Sequence, residues 1–185
     1  MRTPEERLAD VVGSDAPAFL FFWKEAALDP GCLSQFWPAP FVVDGVTYPA
    51  AEYWMMAEKA RLFGDAGALD AVLRAPTPAA AKAAGRAVAG FSEPAWAAVR
   101  FRTVVAGNVA KFTQNEDLGR YLASTGSRVL VEASPLDRVW GIGLTEDDER
   151  ARSPSRWRGG NLLGFALMEV RERLSPPAGR PASFR

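Results

Sequence analysis

The segment Phe41-Val-Val-Asp-Gly-Val-Thr-Tyr-Pro-Ala-Ala-Glu-Tyr-Trp-Met-Met-Ala-Glu-Lys59 decides much of the expected fold. Its first half predicts a β-hairpin, because Asp-Gly tolerates the positive φ angles of a type I′ turn and β-branched residues flank it. Pro49 suits the first turn of a helix, since its missing N–H would have no partner there. We therefore expect a hairpin that leads into a helix ending at about Phe63.

Helix signals dominate the sequence on the C-terminal side of this segment. Thr77-Pro78 predicts the start of an alanine-rich helix that ends near Gly90, and Ser92 with Pro94 predicts the start of another. A short helix at 115–125 closes at Gly126, a last helix runs through 160–174, and short strands are expected at 19–23 and 128–132. The expected fold class is mainly α: a compact multihelical single domain with a few short β-strands and one hairpin.

The chain divides into three parts by composition. Residues 1–17 are expected to be a variable lead-in, residues 18–174 the folded domain, and the Pro-rich residues 175–185 a disordered tail. Within the domain, the polar stretch 145–158 is expected to form a mobile loop.

Composition narrows the classes of function. The 185 residues carry 22 basic and 22 acidic side chains, a balance that does not favour a duplex nucleic-acid or membrane binder but allows a small basic pocket for one phosphate. The single cysteine, Cys32, fits a reducing compartment. The N-terminus lacks the apolar core of a signal peptide, and no run approaches the roughly 20 apolar residues of a membrane helix. We expect a soluble, cytoplasmic protein.

The chain contains no histidine. This excludes Ser-His-Asp and Cys-His triads and histidine-based metal sites. Acid–base or nucleophilic chemistry must therefore use carboxylates, lysine, tyrosine or Cys32. Cys32 is more simply a buried residue, because no histidine is present to activate it.

The first candidate site lies on the helix of the opening segment. Glu52 and Lys59 are about 20° apart around its axis, with Met55 and Met56 between them. Burial would raise the pKa of the carboxyl and lower that of the amine, which makes both usable in acid–base chemistry. The alternative is that both side chains are solvated, as charged residues on helices usually are.

The second candidate site is Leu130-Val-Glu132-Ala-Ser-Pro-Leu-Asp137-Arg-Val-Trp140-Gly141. Glu132 ends an apolar strand, where an acid is unexpected unless it is paired or functional. Two carboxylates beside tryptophan and glycine suit sugar chemistry, in which carboxylates activate water or stabilise an oxocarbenium-like centre and indole stacks on flat faces. The alternative is that Glu132 pairs with an arginine or caps a helix and that Trp140 is core.

Three further features are candidate phosphate contacts. Lys111 ends a long helix, where a cation also complements the helix dipole. Gly160-Asn161 opens a helix whose free N–H groups can hold an anion, although asparagine is also a common cap. Arg86, after Gly85, is the third, although an arginine in such a position is more often an ordinary surface residue.

The sequence resembles the NADAR (YbiA-like) family from about Phe19 to Leu174. The matching pieces come in the family's order, and their combination is specific where no single piece would be. They are Phe22-Trp23, Leu33-Ser34-Gln35-Phe36, Pro40-Phe41, Asp44-Gly45, Tyr48-Pro-Ala-Ala-Glu52, Lys59-Ala60, Gly85-Arg86, Trp96, Gly107-Asn-Val-Ala-Lys111-Phe112, Thr125-Gly126, Leu130-Val-Glu-Ala-Ser-Pro135, Asp137, Trp140-Gly-Ile-Gly143, Trp157-Arg-Gly159, Asn161-Leu-Leu-Gly164 and Leu167-Met-Glu-Val-Arg171.

The resemblance implies a compact, mostly helical N-glycosidase that acts on ADP-ribose or ribosyl-phosphate conjugates and uses no metal or organic cofactor. Removal of ADP-ribose from guanine, in DNA or a nucleoside, is the expected activity. An ADP-ribosylated nucleic acid is therefore one expected partner, and no membrane is. Hydrolysis of riboflavin-pathway intermediates and a non-catalytic module that reads ADP-ribose are the alternatives.

The residues receive roles under this hypothesis. Lys59 attacks the anomeric carbon through a Schiff base or holds an anionic leaving group. Glu52 or Glu132 is the general acid or base, and Asp137 orients a ribose hydroxyl or stabilises positive charge. The expected substrate-binding residues are aromatic walls, the serine and glycine of the motifs and the phosphate contacts: Trp23, Phe36, Trp37, Trp140, Ser34, Gly141, Lys111, Gly160 and Asn161.

Two departures from the family pattern bear on substrate choice. Tyr53 follows the motif glutamate, where the family often has histidine. The family's common Ser-Asn-Phe is Ser34-Gln35-Phe36 in this sequence, so Gln35 takes the place of the asparagine. Both are expected to tune which substrate is accepted, and neither removes the charged part of the motif.

Overall fold

The computed structural model describes residues 1–14, 17–24 and 28–174. In these ranges the chain is mainly helical, with short strands and one hairpin, so the predicted fold class is confirmed. The elements in chain order are α1 (Pro4–Gly13), β1 (Phe19–Phe22), α2 (Leu28–Gly31), β2 (Phe41–Val43), β3 (Val46–Tyr48), α3 (Ala51–Leu62), α4 (Ala66–Leu73), α5 (Pro78–Arg86), α6 (Glu93–Gln114), α7 (Glu116–Ser124), β4 (Val129–Glu132), 3₁₀ helices at Glu149–Arg152 and Pro154–Arg156, and α8 (Leu162–Leu174).

The strands form two separate pairs. β1 runs parallel to β4, with Phe22 opposite Glu132 in the register. β2 and β3 form the predicted antiparallel hairpin, and its turn residues Asp44 and Gly45 have φ angles of 50° and 77°. Both angles lie in the left-handed region that a type I′ turn requires.

The predicted helix starts at Thr77 and Ser92 are confirmed. Each side chain accepts a hydrogen bond from a main-chain N–H three residues later, which satisfies one donor left unpaired at the helix start. The prediction for Pro49 is wrong: α3 begins at Ala51, and Pro49 lies outside the helix. Its carbonyl accepts a hydrogen bond from the N–H of Ala39 at 3.1 Å, so the chain is still in the connection from the hairpin.

The 22-residue helix α6 is the centre of the fold and packs against both α3 and α8. The larger apolar core lies among these three helices. A smaller core covers the β1–β4 pair and includes Val131, Ile142 and Phe165, all fully buried. The carboxyl end of β4 therefore emerges between the two cores, beside the start of α3.

Two segments have more structure than the sequence indicated. The lead-in contains helix α1, whose Arg7 is 1% exposed and is ion-paired to Glu169 and Glu172 of α8. The polar stretch 145–158, expected to be a loop, contains both 3₁₀ helices and is anchored by Trp157, whose indole N–H donates to the carbonyl of Ala151 at 2.7 Å. The predicted tail at 175–185 lies outside the described residues.

No helix within the described ranges is long and apolar enough to cross a bilayer.

Candidate active site

Two adjoining cavities open where α3, α5, the start of α6 and the segment after β4 meet. The inner cavity, of about 370 Å³, reaches Glu52 and Lys59, and the outer cavity, of about 470 Å³, reaches Trp23 and Lys24. Both are lined by Ser34, Phe36, Lys82, Arg86, Glu132, Leu136 and Asp137. We call the two cavities together the cleft.

Glu52 lies in the first turn of α3, and only 1% of the residue is exposed. Its Oε1 is enclosed and has no hydrogen-bond partner among the described residues. Burial raises its pKa to about 7, and the nearby Asp137 carboxylate acts in the same direction, against Lys82 and Arg86. A buried carboxyl of this kind exchanges a proton near neutral pH.

Glu132 is the last residue of β4 and lines both cavities. Its Oε2 is also enclosed and has no partner among the described residues. Burial raises its pKa to about 8, and the carboxylates of Asp137 and Glu52 add to the rise. Glu52 and Glu132 therefore act as an electrostatically coupled pair of carboxyls in one cavity.

Asp137 is the third carboxylate of the cleft, and one of its oxygens also fixes the loop that follows it. Its Oδ1 accepts hydrogen bonds from the N–H groups of Val139 and Trp140 at 2.8 and 2.7 Å. The carboxylate thereby holds the loop that carries Trp140 against the inner cavity, and its charge raises the pKa of both glutamates.

Lys59 also lines the inner cavity, and 8% of it is exposed. Its Nζ lies 4.1 Å from the centre of the Phe91 ring. Burial lowers its pKa, opposed by the charge of Glu93 and assisted by that of Arg86. Lys59 therefore lies toward the Phe91 and Glu93 side of the cavity.

Lys82 and Arg86 are the cations that face the carboxyls. They are one turn apart on α5, line both cavities, and lower the pKa of Glu52 by their charge. Lys82 Nζ lies 5.4 Å from the centre of the Phe36 ring. Lys82 was not among the predicted site residues, although its spacing of four residues from Arg86 within an alanine-rich helix indicates that both lie on one face.

Aromatic side chains form the walls of the cleft. Three of the four predicted aromatic residues line it, and Trp37 does not. Phe36 and Trp140 line the inner cavity, and Trp23, which is 40% exposed, lines the outer one. Trp37 packs against the larger core and does not line the cleft. Phe91 and Trp96 line the inner cavity in addition.

Ser34 and Gly141 shape the cleft through the main chain. Ser34 Oγ accepts from the N–H of Phe36 at 3.1 Å, which fixes the turn that presents the Phe36 ring. A Cβ added at Gly141 would lie 2.8 Å from the carbonyl oxygen of Glu132, so only glycine allows the loop to approach the end of β4 this closely.

The structure does not bring the predicted phosphate contact Lys111 to the cleft. This lysine is fully buried, and its Nζ donates to the carbonyls of Cys32 at 2.8 Å and Ser34 at 3.0 Å. Burial lowers its pKa to about 7. Its amine holds the 32–34 turn in place, and the long helix α6 carries it into the core instead of to the surface.

The second predicted phosphate contact, Gly160-Asn161, is also occupied by the protein. The N–H of Gly160 donates to the carbonyl of Arg138, and the N–H of Asn161 to that of Gly141. The next N–H groups bond to the carbonyls of Val139 and Trp140. These donors hold the loop after Asp137, so the start of α8 has no free N–H group there for an anion.

Asn161 has a different role from the one predicted. It is fully buried, with φ of 50°, and its Oδ1 accepts from the N–H of Glu132 at 3.0 Å. Its Nδ2 donates to the carbonyl of Leu130 at 2.9 Å. The side chain therefore fixes the end of β4 and with it the position of Glu132.

A metal is not suggested by the arrangement of ligating side chains. Within residues 1–14, 17–24 and 28–174, no group of three or more His, Cys, Asp or Glu residues could hold one. Among the described residues, the acid–base groups that line the cleft are its carboxyls and the lysines Lys24, Lys59 and Lys82.

Comparison with known proteins gives the family. The family model described as the NADAR domain matches residues 21–175. Over 125 residues the chain is 42% identical to N-glycosidase R617 of Acanthamoeba polyphaga mimivirus, an alignment that covers 68% of this chain and 74% of that protein. It is 31% identical over 147 residues to N-glycosidase YbiA of Escherichia coli strain K12, covering 80% and 83%.

A structural comparison agrees. The NMR structure of the E. coli protein YbiA matches with a TM-score of 0.70 and 28% sequence identity, covering 87% of each chain. The chain is also 32% identical over 172 residues to Protein irg-1 of Caenorhabditis elegans, covering 84% of this chain and 79% of that protein. The chain therefore belongs to the NADAR family, the family of the YbiA-like N-glycosidases.

Proposed function

We propose that this protein hydrolyses the N-glycosidic bond between a nitrogenous base and an ADP-ribose or ribosyl-phosphate group, with ADP-ribosylated guanine as the first candidate substrate. The observation that carries the proposal is the coupled carboxyl pair. Glu52 and Glu132 share one cavity, and burial raises their pKa values to about 7 and about 8. At neutral pH one of the pair can hold a proton while the other is ionised.

Hydrolysis of such a bond needs both forms. The protonated carboxyl gives its proton to the departing base nitrogen, and the ionised one takes a proton from the attacking water. The negative charge of the ionised carboxyl and of Asp137 stabilises the positive charge that develops at the anomeric carbon. The bond from that carbon to nitrogen breaks, a bond to the water oxygen forms, and the products are the sugar and the free base.

Lys59 offers a covalent route to the same products. Its lowered pKa increases the share of neutral amine, which can add to the anomeric carbon of the ring-opened sugar and displace the base. Water then hydrolyses the resulting Schiff base and restores the amine. Reductive trapping with cyanoborohydride tests this route: a sugar adduct on Lys59 supports it, and turnover without an adduct assigns Lys59 to binding.

The charges of the cleft favour an anionic conjugate. Lys82 and Arg86 lie between the two cavities, and Lys24 lines the outer one. We assign phosphate binding to Lys82 and Arg86 in place of Lys111, because their side chains reach the cleft. Trp140 and Phe36 supply flat apolar surfaces for a base or sugar.

The test is product formation from two conjugates. Purified protein is incubated with an ADP-ribosylated guanosine and, in parallel, with a ribosylaminopyrimidine phosphate, and the products are identified by mass spectrometry. Release of ADP-ribose supports the proposed substrate, and release of ribose phosphate alone supports the riboflavin-type alternative. Ligand-induced thermal stabilisation without product from either conjugate would contradict hydrolysis and indicate a binding module.

A further inference from the structure

Gln35 carries a buried acceptor that the fold leaves unused beside the carboxyl pair. It lines the inner cavity, and 7% of the residue is exposed. Its main-chain carbonyl accepts from the N–H of Glu52 at 3.0 Å, so the two residues are neighbours at the base of the cleft. Its Oε1 is enclosed without a hydrogen-bond partner among the described residues.

The orientation of the Gln35 amide is fixed by a chain of hydrogen bonds that ends on a main-chain carbonyl. Asn108 Nδ2 donates to the main-chain carbonyl of Val104 at 2.9 Å. A carbonyl oxygen can only accept, so the Asn108 nitrogen must face it. This leaves Asn108 Oδ1 to accept from Gln35 Nε2, at 3.2 Å. The amide of Gln35 therefore presents its oxygen, and not its nitrogen, away from Asn108.

Buried polar atoms are nearly always hydrogen-bonded, and an exception at a cavity points to a missing partner. A water molecule or a donor of the substrate can supply it. The protein holds Gln35 in place from both ends, through Glu52 and Asn108, which is the expected arrangement for a group that recognises a ligand.

We propose that Gln35 determines substrate specificity by accepting a hydrogen bond from an N–H or O–H donor of the bound conjugate. This inference rests on the proposed function and deepens it. The donor can be a ring N–H of the leaving base, the N–H of its exocyclic amine, or a hydroxyl of the ribose. A substrate without that donor leaves the Gln35 oxygen unpaired in the complex, and the site discriminates against it.

The test compares Gln35→Met with Gln35→Glu on two conjugates. The conjugates are ADP-ribosylated guanine and its N1-methyl counterpart, which lacks the ring N–H. Gln35→Met removes the oxygen, whereas Gln35→Glu keeps one and, when protonated, can donate to Asn108 as the amide does. Both variants change the same position, and only Gln35→Met removes the acceptor oxygen. A difference between them therefore reports the loss of the acceptor and not the effect of any substitution at this position.

If the donor is the ring N–H, the wild-type protein prefers the guanine conjugate by about tenfold or more in kcat/KM, and Gln35→Met loses that preference. If the donor is the exocyclic N–H or a ribose hydroxyl, both of which the N1-methyl conjugate keeps, Gln35→Met lowers kcat/KM about tenfold on both conjugates alike. In either case Gln35→Glu, which keeps an acceptor oxygen, should show a smaller change than Gln35→Met. Wild-type kcat/KM for Gln35→Met on both conjugates would overturn the proposal.

Calorimetric binding of the same conjugates separates this inference from the proposed function. If the wild-type protein binds them without turnover, hydrolysis fails, and weaker binding by Gln35→Met alone would still support the acceptor role. Equal binding by both variants, or no binding by the wild type, would overturn it. Should Gln35→Met not fold, Gln35→Asn, which withdraws the oxygen by one methylene, replaces it under the same criteria.

Discussion

Asn161 binds the main chain of Glu132, with 3.0 Å between its Oδ1 and the Glu132 nitrogen. The contact joins the start of α8 to the end of β4, where the second carboxyl of the cleft begins. A residue predicted to hold a phosphate is thus used to hold a proposed catalytic group. Its buried amide and its φ of 50° make the position specific for asparagine.

Replacement of Asn161 is expected to destabilise the protein. Asn161→Gly loses the hydrogen bonds to Glu132 and Leu130, and we expect a loss of about 2–4 kcal/mol in the free energy of unfolding. Asn161→Ala should lose about 1 kcal/mol more, because alanine is strained at positive φ. Urea unfolding of both variants measures this. Equal stability of Asn161→Gly and the wild type would show that the two hydrogen bonds contribute little.

Glu132→Gln is expected to stabilise the protein at alkaline pH. The folded carboxyl has a pKa of about 8, above its ordinary value, so the folded state keeps a proton that the unfolded state has released between about pH 4.5 and 8. Its contribution to stability is therefore present at low pH and lost as the pH rises through 8. The amide has no such loss. One pKa unit corresponds to about 1.4 kcal/mol, and the unpaired N–H groups of the buried amide offset part of the gain, so we expect Glu132→Gln to be at least about 1–2 kcal/mol more stable than the wild type at pH 9.

Thermal unfolding at pH 5 and pH 9 measures that gain. Glu116→Gln is the matched control, since Glu116 is exposed at the start of α7. Glu132→Gln should match the wild type at pH 5 and exceed it at pH 9, whereas the control should show no such change. A stability difference between Glu132→Gln and the wild type that is the same at pH 5 and pH 9 would contradict the raised pKa.

The pH dependence of hydrolysis should follow the coupled pair. Activity needs one protonated and one ionised carboxyl, and the pair titrates with apparent pKa values of about 7 and about 8. We expect kcat/KM to be largest between these values and to fall about tenfold per pH unit on either side. Profiles of Glu52→Gln and Glu132→Gln should each lose one limb. A flat wild-type profile from pH 6 to 9 would remove the pair from the chemistry.

Lys82→Ala is expected to weaken substrate binding and shift the pH profile. Loss of the phosphate contact should raise KM about tenfold. Because the Lys82 charge lowers the pKa of both Glu52 and Glu132, its removal should move both limbs of the profile to higher pH. Arg74→Ala is the control, since Arg74 is exposed and paired with Asp70. Unchanged KM and unchanged limbs in Lys82→Ala would place phosphate binding elsewhere.

Local signals in the sequence predicted the elements, because turns and caps depend on neighbouring residues. Asp44-Gly45 and the caps at Thr77 and Ser92 show this. The spacing of Glu52 and Lys59 also placed both at one cavity. These predictions needed only the periodicity of a helix or a turn.

Predictions that depended on tertiary packing were less successful. Lys111 and Asn161 have the residue types of anion-binding sites, but neighbouring segments bury them and use their polar groups. Lys82 was missed for the converse reason, since only the placement of α5 against the cleft shows which of its faces is functional. The buried oxygen of Gln35 could be found only from its fixed partner Asn108.

The central claim is that the carboxyl pair hydrolyses an N-glycosidic bond. The most direct test compares the reaction products formed by the wild-type protein and by a variant that lacks both carboxyls. Wild-type protein and the double variant Glu52→Gln, Glu132→Gln are incubated with ADP-ribosylated guanosine at pH 7.5, after unfolding curves have shown that both are folded. We expect mass spectrometry to detect ADP-ribose and guanosine only with the wild type. Equal product from the two proteins would contradict the claim.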